Sequence, residues 1–465
     1  MTSTSSPIIF DALEAQMRGR LIRPGDDDYD AARTVYNAMI DRRPLAIARC
    51  ADVADVMATV SFAREHHVPV SIRGGGHNAG GLGVWDDALV VDLSSMRGLT
   101  VDPIAKTVRA EGGCVWGDVD HATHAFGLAT TSGINSSTGV GGLTLGGGIG
   151  YLARQCGLTI DNLLAADVVL ADGSFVTASS ASHPDLFWAL RGGGGNFGVV
   201  TSFVYRLHEV ANVVAGPILY DIADAGDVMR WYRELQPGLP PELNGWLGLL
   251  TVPPGPPFPE ALWHRRVCGI LWCYTGPLDR ADTALAPVRE FGSPLLDGLA
   301  EMPYPMLQSA FDELYPAGLQ WYWRADFFRE ISDSAIAVHE RFGQLLPTPL
   351  STMHLYPIDG AVHRIAADET AFAYRDAGWA GVIVGVDPDP ANAAAIKEWA
   401  VNYWEALHPT SAGGAYVNFL MDEGTDRVRA AYGTNYERLA RIKATYDPEN
   451  FFRINQNIPP AGIQS

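Results

Sequence analysis

Apolar residues recur at helical spacing across residues 52–67, where Val53, Val56, Met57, Val60 and Ala63 share one face and Asp52 stands in the N-cap position. The period then shortens. Residues 68–72 predict a strand, and apolar runs at 88–93, 107–111 and 164–170 predict three more. Residues 184–190 return to a helical pattern, after a turn signal at Ala171-Asp-Gly-Ser174. From 210 to 420 the chain becomes rich in proline and aromatics, with alternating segments at 267–274, 319–328, 353–357 and 381–386. That is the pattern of antiparallel strands backed by helices. The proline-dense stretch 238–258 predicts a loop at the surface or over a pocket, and 436–446 predicts a last helix that stops before Pro448.

Three glycine clusters interrupt this pattern. Arg73-Gly74-Gly75-Gly76-His77-Asn78 follows the strand at 68–72. A second cluster runs from Gly139 to Gly150, and a third from Arg191 to Gly198. Without a Cβ, backbone N–H groups can approach a phosphate closely. Each cluster alone also reads as a set of tight turns. The three together suggest an extended ligand touched by backbone at several points. The first is not a G-x-G-x-x-G motif opening a helix, because residues 78–83 continue as loop, which disfavours a standard Rossmann domain. His77 places an imidazole nucleophile beside whatever is held; taken singly, it reads as a hydrogen-bonding loop histidine.

Length and composition narrow the class. With 465 residues the chain has room for two or three domains, and 47% hydrophobic with 18% charged residues suits a soluble globular enzyme. No apolar run reaches the ~18 residues that span a membrane. Residues 1–7 are Ser/Thr-rich without a basic segment and apolar core, so the expectation is a short disordered leader and no signal peptide. A formal net charge of −20 repels nucleic acid and anionic membrane. The five cysteines form no CxxC pair and no metal spacing, which predicts reduced thiols, a cytoplasmic location and no metal site. Nothing in the sequence specifies an oligomeric state.

The ordered set of motifs resembles the berberine-bridge-enzyme-like branch of the vanillyl-alcohol-oxidase superfamily of flavoproteins. The set comprises the 73–78 run, Gly139-Val-Gly-Gly142 with Leu145-Gly-Gly-Gly148, and Gly157-Leu-Thr-Ile-Asp161-Asn162. It continues with Asp185-Leu-Phe-Trp188 through Asn196-Phe-Gly-Val-Val200, and ends on Tyr446-Asp-Pro-Glu-Asn450 and Asn455-Gln-Asn-Ile-Pro459. The resemblance implies an α+β fold. A two-subdomain PCMH-type FAD-binding domain would span 1–209. A substrate domain with an antiparallel sheet backed by helices would span 210–420, and residues 421–465 would return to the flavin. It implies FAD as cofactor, bonded through its 8α carbon to His77. Arg73, Gly74, Gly75, Gly76, Asn78, Thr138, Gly139, Gly142, Gly146, Gly148, Asp161, Asn162, Asn196, Val200, Asn455 and Asn457 would lie against the cofactor.

Two departures from the family pattern stand out. Many members carry a second flavin link, a cysteine four residues before the glycine matching Gly139; here that residue is Asn135. A single link follows, as in bacterial members of the 6-hydroxy-D-nicotine oxidase type. The tyrosine that serves as base in a Tyr-x-Asn-Tyr motif is replaced by Phe419 in Tyr416-Val-Asn418-Phe419. Replacement candidates are His354 with Tyr356, and Tyr322 with Arg324, each pair two apart on a predicted strand and so on one face. The resemblance also places Tyr416, Asn418 and Tyr436 near the ring, and Val140 beside it, small enough to admit O₂. The implied chemistry is hydride transfer from a small organic substrate (an alcohol, amine or phenolic natural product) to the flavin, with reoxidation by O₂ to hydrogen peroxide. The aromatic content of 210–420 suggests an aromatic or alicyclic substrate. A dehydrogenase of the same fold with another electron acceptor, or a flavin-binding protein without catalysis, fits the same motifs.

Overall fold

The computed structural model describes residues 10–462, so the Ser/Thr-rich leader lies outside the described residues. Strands β1 (Arg20–Ile22), β2 (Ala46–Arg49), β3 (Val70–Arg73) and β4 (Leu89–Asp92) pair in the order β1-β2-β4-β3, with β4 parallel to β2 and β3. All four residues of β4 are buried, as a strand covered on both faces requires. Its last residue, Asp92, receives Arg73 at 2.8 Å and Arg49 at 3.2 Å. Burial by itself would raise the Asp92 carboxyl; the Arg73 guanidinium outweighs it and holds the group below its ordinary range. Arg73 is thus clamped just before the first glycine run. Between β2 and β3 lies the helix Val53–Glu65, capped by the Asp52 side chain, which accepts from the Ala54 and Asp55 N–H groups. It ends before residue 67 because His67 turns into the left-handed region, at φ 55°.

A second, antiparallel sheet joins β5 (Leu99–Asp102), β6 (Thr107–Glu111), β7 (Leu163–Val169), β8 (Phe175–Ser179) and β9 (Val199–Arg206) in the order β5-β6-β9-β7-β8. Between β6 and β7 the structure departs from the expected glycine loop: Val140–Gly146 is a helix although three of its seven residues are glycine. Intrinsic propensity disfavours it by about 1 kcal/mol per glycine. Burial of Val140, Thr144 and Leu145 overrides that preference.

The third sheet contains β10 (Asn212–Asp221), β11 (Leu243–Thr251), β12 (Arg266–Tyr274), β13 (Gln320–Phe328), β14 (Thr352–Pro357) and β15 (Trp379–Asp387). These pair antiparallel in the order β10-β12-β11-β14-β15-β13, with two short strands flanking β10. The loop expected over 238–258 is therefore corrected: 243–251 is an interior strand, buried over most of its length. Burial on both faces leaves this strand without alternation, and the surrounding prolines read as loop. Helices Ala225–Leu235, Asp333–Gly343 and Ala393–Leu407 cover one face of this sheet. The other face looks toward the glycine clusters.

Two segments stitch that face to the first two sheets. Asn37 bonds Ala79 O and Trp321 O through Nδ2, at 2.9 and 3.1 Å, and accepts the Trp321 N–H at 3.1 Å. This covers the edge strand β13. At the other end, Lys443 of helix Tyr436–Tyr446 is buried with Asp447 and the carbonyls of Asn196 and Phe452, all within 2.9 Å. The residues after that helix are thereby pinned to the third glycine cluster. Among the described residues, no helix is long and apolar enough to cross a membrane and no cluster of side chains has metal-binding composition.

Candidate active site

The cavity enclosed by these pieces has two unlike walls that meet at His77. One wall is backbone: Gly74–76, Gly139, Gly141, Gly142, Gly194 and Gly195, with Thr138 and Val200 beside them. The first two clusters touch main chain to main chain, since a Cβ on Gly75 would stand 2.4 Å from Gly139 N. Side chains at Gly142 and Gly195 would instead meet nothing within 4 Å and would fill the cavity. Asn455 also lines it, with its Nδ2 held by Gly195 O at 3.1 Å and Phe452 O at 2.8 Å. Among the described residues its Oδ1 is buried without a partner. Because it borders the cavity, this acceptor is open to a donor from a bound ligand. A glycine cradle with an unpaired amide oxygen suits FAD, which brings phosphates together with N–H and O–H groups.

His77 lies flat against Tyr36, with ring centroids 4.0 Å apart and planes inclined 21°. Its Nε2 is 2.9 Å from Ser137 Oγ, which is 2.5 Å from Asn135 Oδ1. Burial pushes the imidazole down to about 4, so it is neutral near pH 7. Among the described residues nothing hydrogen-bonds Nδ1.

The second wall is aromatic. Trp246 from β11, Trp321 and Trp323 from β13, and Tyr315 and Phe419 line it, with Val382 and Val384 from β15. The polar groups set into it are Thr352, His354 and Tyr356, consecutive inward positions of β14. His354 Nδ1 lies 2.5 Å from Tyr356 Oη. Burial pushes His354 down to about 4 and the Tyr356 phenol far up, so both groups are neutral and share one short hydrogen bond. No carboxylate or lysine lines the described cavity, and the one guanidinium, Arg73, is already paired with Asp92.

Tyr416 and Asn418 lie near the junction of the two walls. Tyr416 Oη accepts from Gly148 N–H and Asn418 Nδ2, both at 2.8 Å, and burial raises its phenol to about 12.

Several residues expected at the site stand elsewhere. Tyr322 shares a face with Arg324 as expected, but it is the helix-covered face, where Lys397 lies 5.4 Å from its ring. Alternation along β13 turns Trp321 and Trp323 to the cavity instead. Tyr436 packs under Arg429 and does not line the cavity. Gly146 and Gly148 are small for internal reasons: a Cβ there would strike Asn418 Oδ1 at 2.2 Å and Thr159 Oγ1 at 2.0 Å. Asp161 is taken up by a buried two-point pair with Arg375, both contacts 2.7 Å. Asn162 bonds His208 and two carbonyls, and Asn196 braces the third glycine cluster from behind through Gly193 O, Gln456 O and the Ile458 N–H. Asn457 and the fully buried Val140 are likewise not on the wall. Conversely, Tyr36, Ser137 and Trp246 belong to the site or brace it without any motif to mark them, and Gln456, inside the 455–459 motif, is not singled out by it. Only the clustering of Trp and Tyr in 210–420 hinted at an aromatic wall.

Comparison with known proteins agrees with this geometry. Residues 44–179 match the model of an FAD binding domain, and 415–459 match one described as berberine and berberine like. The uncharacterized FAD-linked oxidoreductase YgaK of Bacillus subtilis (strain 168) is 32% identical, the match covering 96% of this chain and 98% of that one. (R)-6-hydroxynicotine oxidase of Paenarthrobacter nicotinovorans is 30% identical over 97% of this chain and 99% of its own. Among solved structures, 6-hydroxy-D-nicotine oxidase from Arthrobacter nicotinovorans superimposes with a TM-score of 0.85 at 26% identity, covering 95% of this chain and 98% of that chain. Physcomitrella patens BBE-like 1, at 22% identity and a TM-score of 0.86 over 98% of this chain and all of that one, shares the fold.

Proposed function

The chain belongs to the berberine-like FAD-linked oxidoreductases, and from that membership we propose that it is an oxidase of a neutral, largely apolar small molecule, with FAD attached covalently through His77. The observation that carries this reading is the placement of His77 where the glycine cradle meets the aromatic wall. Bound FAD supplies a two-electron acceptor for hydride from a substrate C–H bond and a route for those electrons to dioxygen. Backbone of the first two glycine clusters and Asn455 would hold it; Thr138 and Val200 would pack against it.

The protein's own residues supply orientation and the path of the proton. The tryptophan wall excludes water and accepts a flat or alicyclic molecule. A charged substrate finds no unpaired counter-charge there, so the neutral form binds. Tyr356 Oη takes the proton from a substrate O–H or N–H as its own proton passes to His354 Nδ1 across 2.5 Å. The phenol missing at Phe419 is thus replaced from a neighbouring strand, since the Tyr356 and Phe419 rings are 5.9 Å apart.

The test has two stages. Purified protein is acid-precipitated beside His77→Ala, and yellow colour that stays only in the wild-type pellet supports the link; colour released from the wild type removes it. A panel of neutral aromatic and alicyclic alcohols, phenols and amines is then screened in air. Hydrogen peroxide equal to product supports an oxidase. Turnover only with an added electron acceptor makes the protein a dehydrogenase.

A further inference from the structure

We propose that Asn135 and Ser137 are positioning residues that fix the ring tautomer of His77 and so select Nδ1 as the atom that bonds the flavin. This rests on the covalent attachment proposed above.

The direction of each hydrogen bond follows from the donors present. Asn135 presents one atom both to the backbone N–H of Ser137, at 3.0 Å, and to its hydroxyl, at 2.5 Å. The N–H can only donate, so that atom is the amide oxygen, and the hydroxyl proton points to it. With its proton committed, Ser137 Oγ meets His77 Nε2, 2.9 Å away, as an acceptor. Nε2 therefore carries the hydrogen of the neutral ring, and the free lone pair sits on Nδ1. Tyr36, stacked 4.0 Å from the imidazole, hinders rotation of the ring that would exchange the two nitrogens. Burial keeps the imidazole neutral at working pH, so the lone pair is present.

The same chain of acceptors serves the bond-forming step. Nδ1 forms a bond to the 8α carbon, and one proton leaves that carbon. The imidazole is cationic as the bond forms, and Ser137 Oγ, backed by Asn135, is the acceptor that holds Nε2–H. A second proton then leaves Nε2. Two electrons pass through the isoalloxazine to dioxygen, which with two protons becomes hydrogen peroxide.

The experiment follows covalent flavin in the full chain. Protein expressed under riboflavin limitation is mixed with FAD in air, and flavin fluorescence retained in acid-precipitated protein is measured over time. Rates are expressed per FAD bound before acid, so a loss of binding is not read as a loss of linkage, and melting temperature monitors the fold. Ser137→Ala and Asn135→Leu are expected to slow linkage by about tenfold or more, the effect of losing a hydrogen bond to a group that becomes charged. Ser137→Thr keeps the hydroxyl and restores the rate. Digestion of the wild type should yield a flavin peptide linked through Nδ1 alone, and that of Ser137→Ala a mixture of both ring nitrogens. A Ser137→Ala protein that links at the wild-type rate through Nδ1 alone overturns the proposal and leaves the tether standing. A wild type linked through Nε2 does the same. A wild type that retains no flavin overturns the tether and this proposal together.

Discussion

His354 Nδ1 and Tyr356 Oη are 2.5 Å apart at successive inward positions of one strand, held between Trp246 and Phe419 in the wall facing His77. In the proposed mechanism this contact joins a neutral base to the phenol that takes the substrate proton, so removing the phenol oxygen would break that path and leave the cavity's shape nearly unchanged. Tyr356→Phe is expected to slow anaerobic flavin reduction by about 10²- to 10⁴-fold with little change in flavin content. Stopped-flow absorbance measures this directly, and an unchanged rate would show that the proton leaves by another route.

The same pair sets a pH dependence. His354 acts as a base only when neutral, and burial holds its pKa at about 4. The rate of flavin reduction should therefore be level from about pH 6 to about pH 8 and decline as pH falls toward about 4, where the imidazole protonates. A midpoint near 6.5 in the His354-dependent rate would contradict the burial of this group.

Gly142 separates cofactor binding from folding. It lies within the helix Val140–Gly146 and lines the cavity, and a Cβ there would meet nothing within 4 Å. Gly142→Leu should keep or slightly raise the melting temperature, since glycine is the poorer helix former by about 1 kcal/mol. It should also lower the flavin-to-protein absorbance ratio severely. Normal flavin content in this variant would mean that the cradle lies elsewhere.

Asp161 and Arg375 form a pair in which both side chains are 3% exposed. Arg375→Ala leaves the carboxylate buried without its partner, at an expected cost of about 3–5 kcal/mol in chemical denaturation. A loss below about 1 kcal/mol would place Asp161 in contact with water or a ligand.

Asp120 is buried against Gln308 at 3.3 Å, with no cation paired to it among the described residues, and burial raises its carboxyl to about 7. The unfolded chain ionises this group near 3.8, so between about pH 4 and pH 7 the unfolded state holds fewer protons there than the folded one. Stability at this site thus falls as pH rises through that window. Asp120→Asn has nothing to ionise, and its advantage over the wild type should grow across the window to on the order of 3–4 kcal/mol. Denaturation curves at pH 4.5 and 7.5 (about the ends of the window) make the comparison, and a constant difference would refute it.

Local pattern was enough for the elements whose signal is local. The helix Pro184–Leu190, the strand Thr107–Glu111 and the helix Tyr436–Tyr446 lie where the periodicity put them. Pattern failed where neighbours outweighed local preference. Val140–Gly146 is a helix despite its glycines because packing holds it, and Leu243–Thr251 is a strand despite flanking prolines because it sits between two others. The site divides in the same way. Gly75, Gly139 and His77 are visible in sequence because backbone contact demands glycine and because a histidine closing a glycine run is a local feature. Trp246 and Ser137 are common residue types whose role exists only through what they touch.

The sequence by itself determined the family, the glycine clusters and the histidine that closes the first of them, since each depends on residue type at fixed local spacing. It also determined that Tyr322 and Arg324 share a face, and His354 and Tyr356 another, because strand alternation is a property of the chain alone. Only the tertiary structure decided which face of β13 and β14 meets the cavity. That choice depends on helices 225–235, 333–343 and 393–407 covering the opposite side, and no single strand encodes where its neighbours pack. The same distant packing brings Asn135, Ser137 and Tyr36 around His77, contacts that no local spacing specifies.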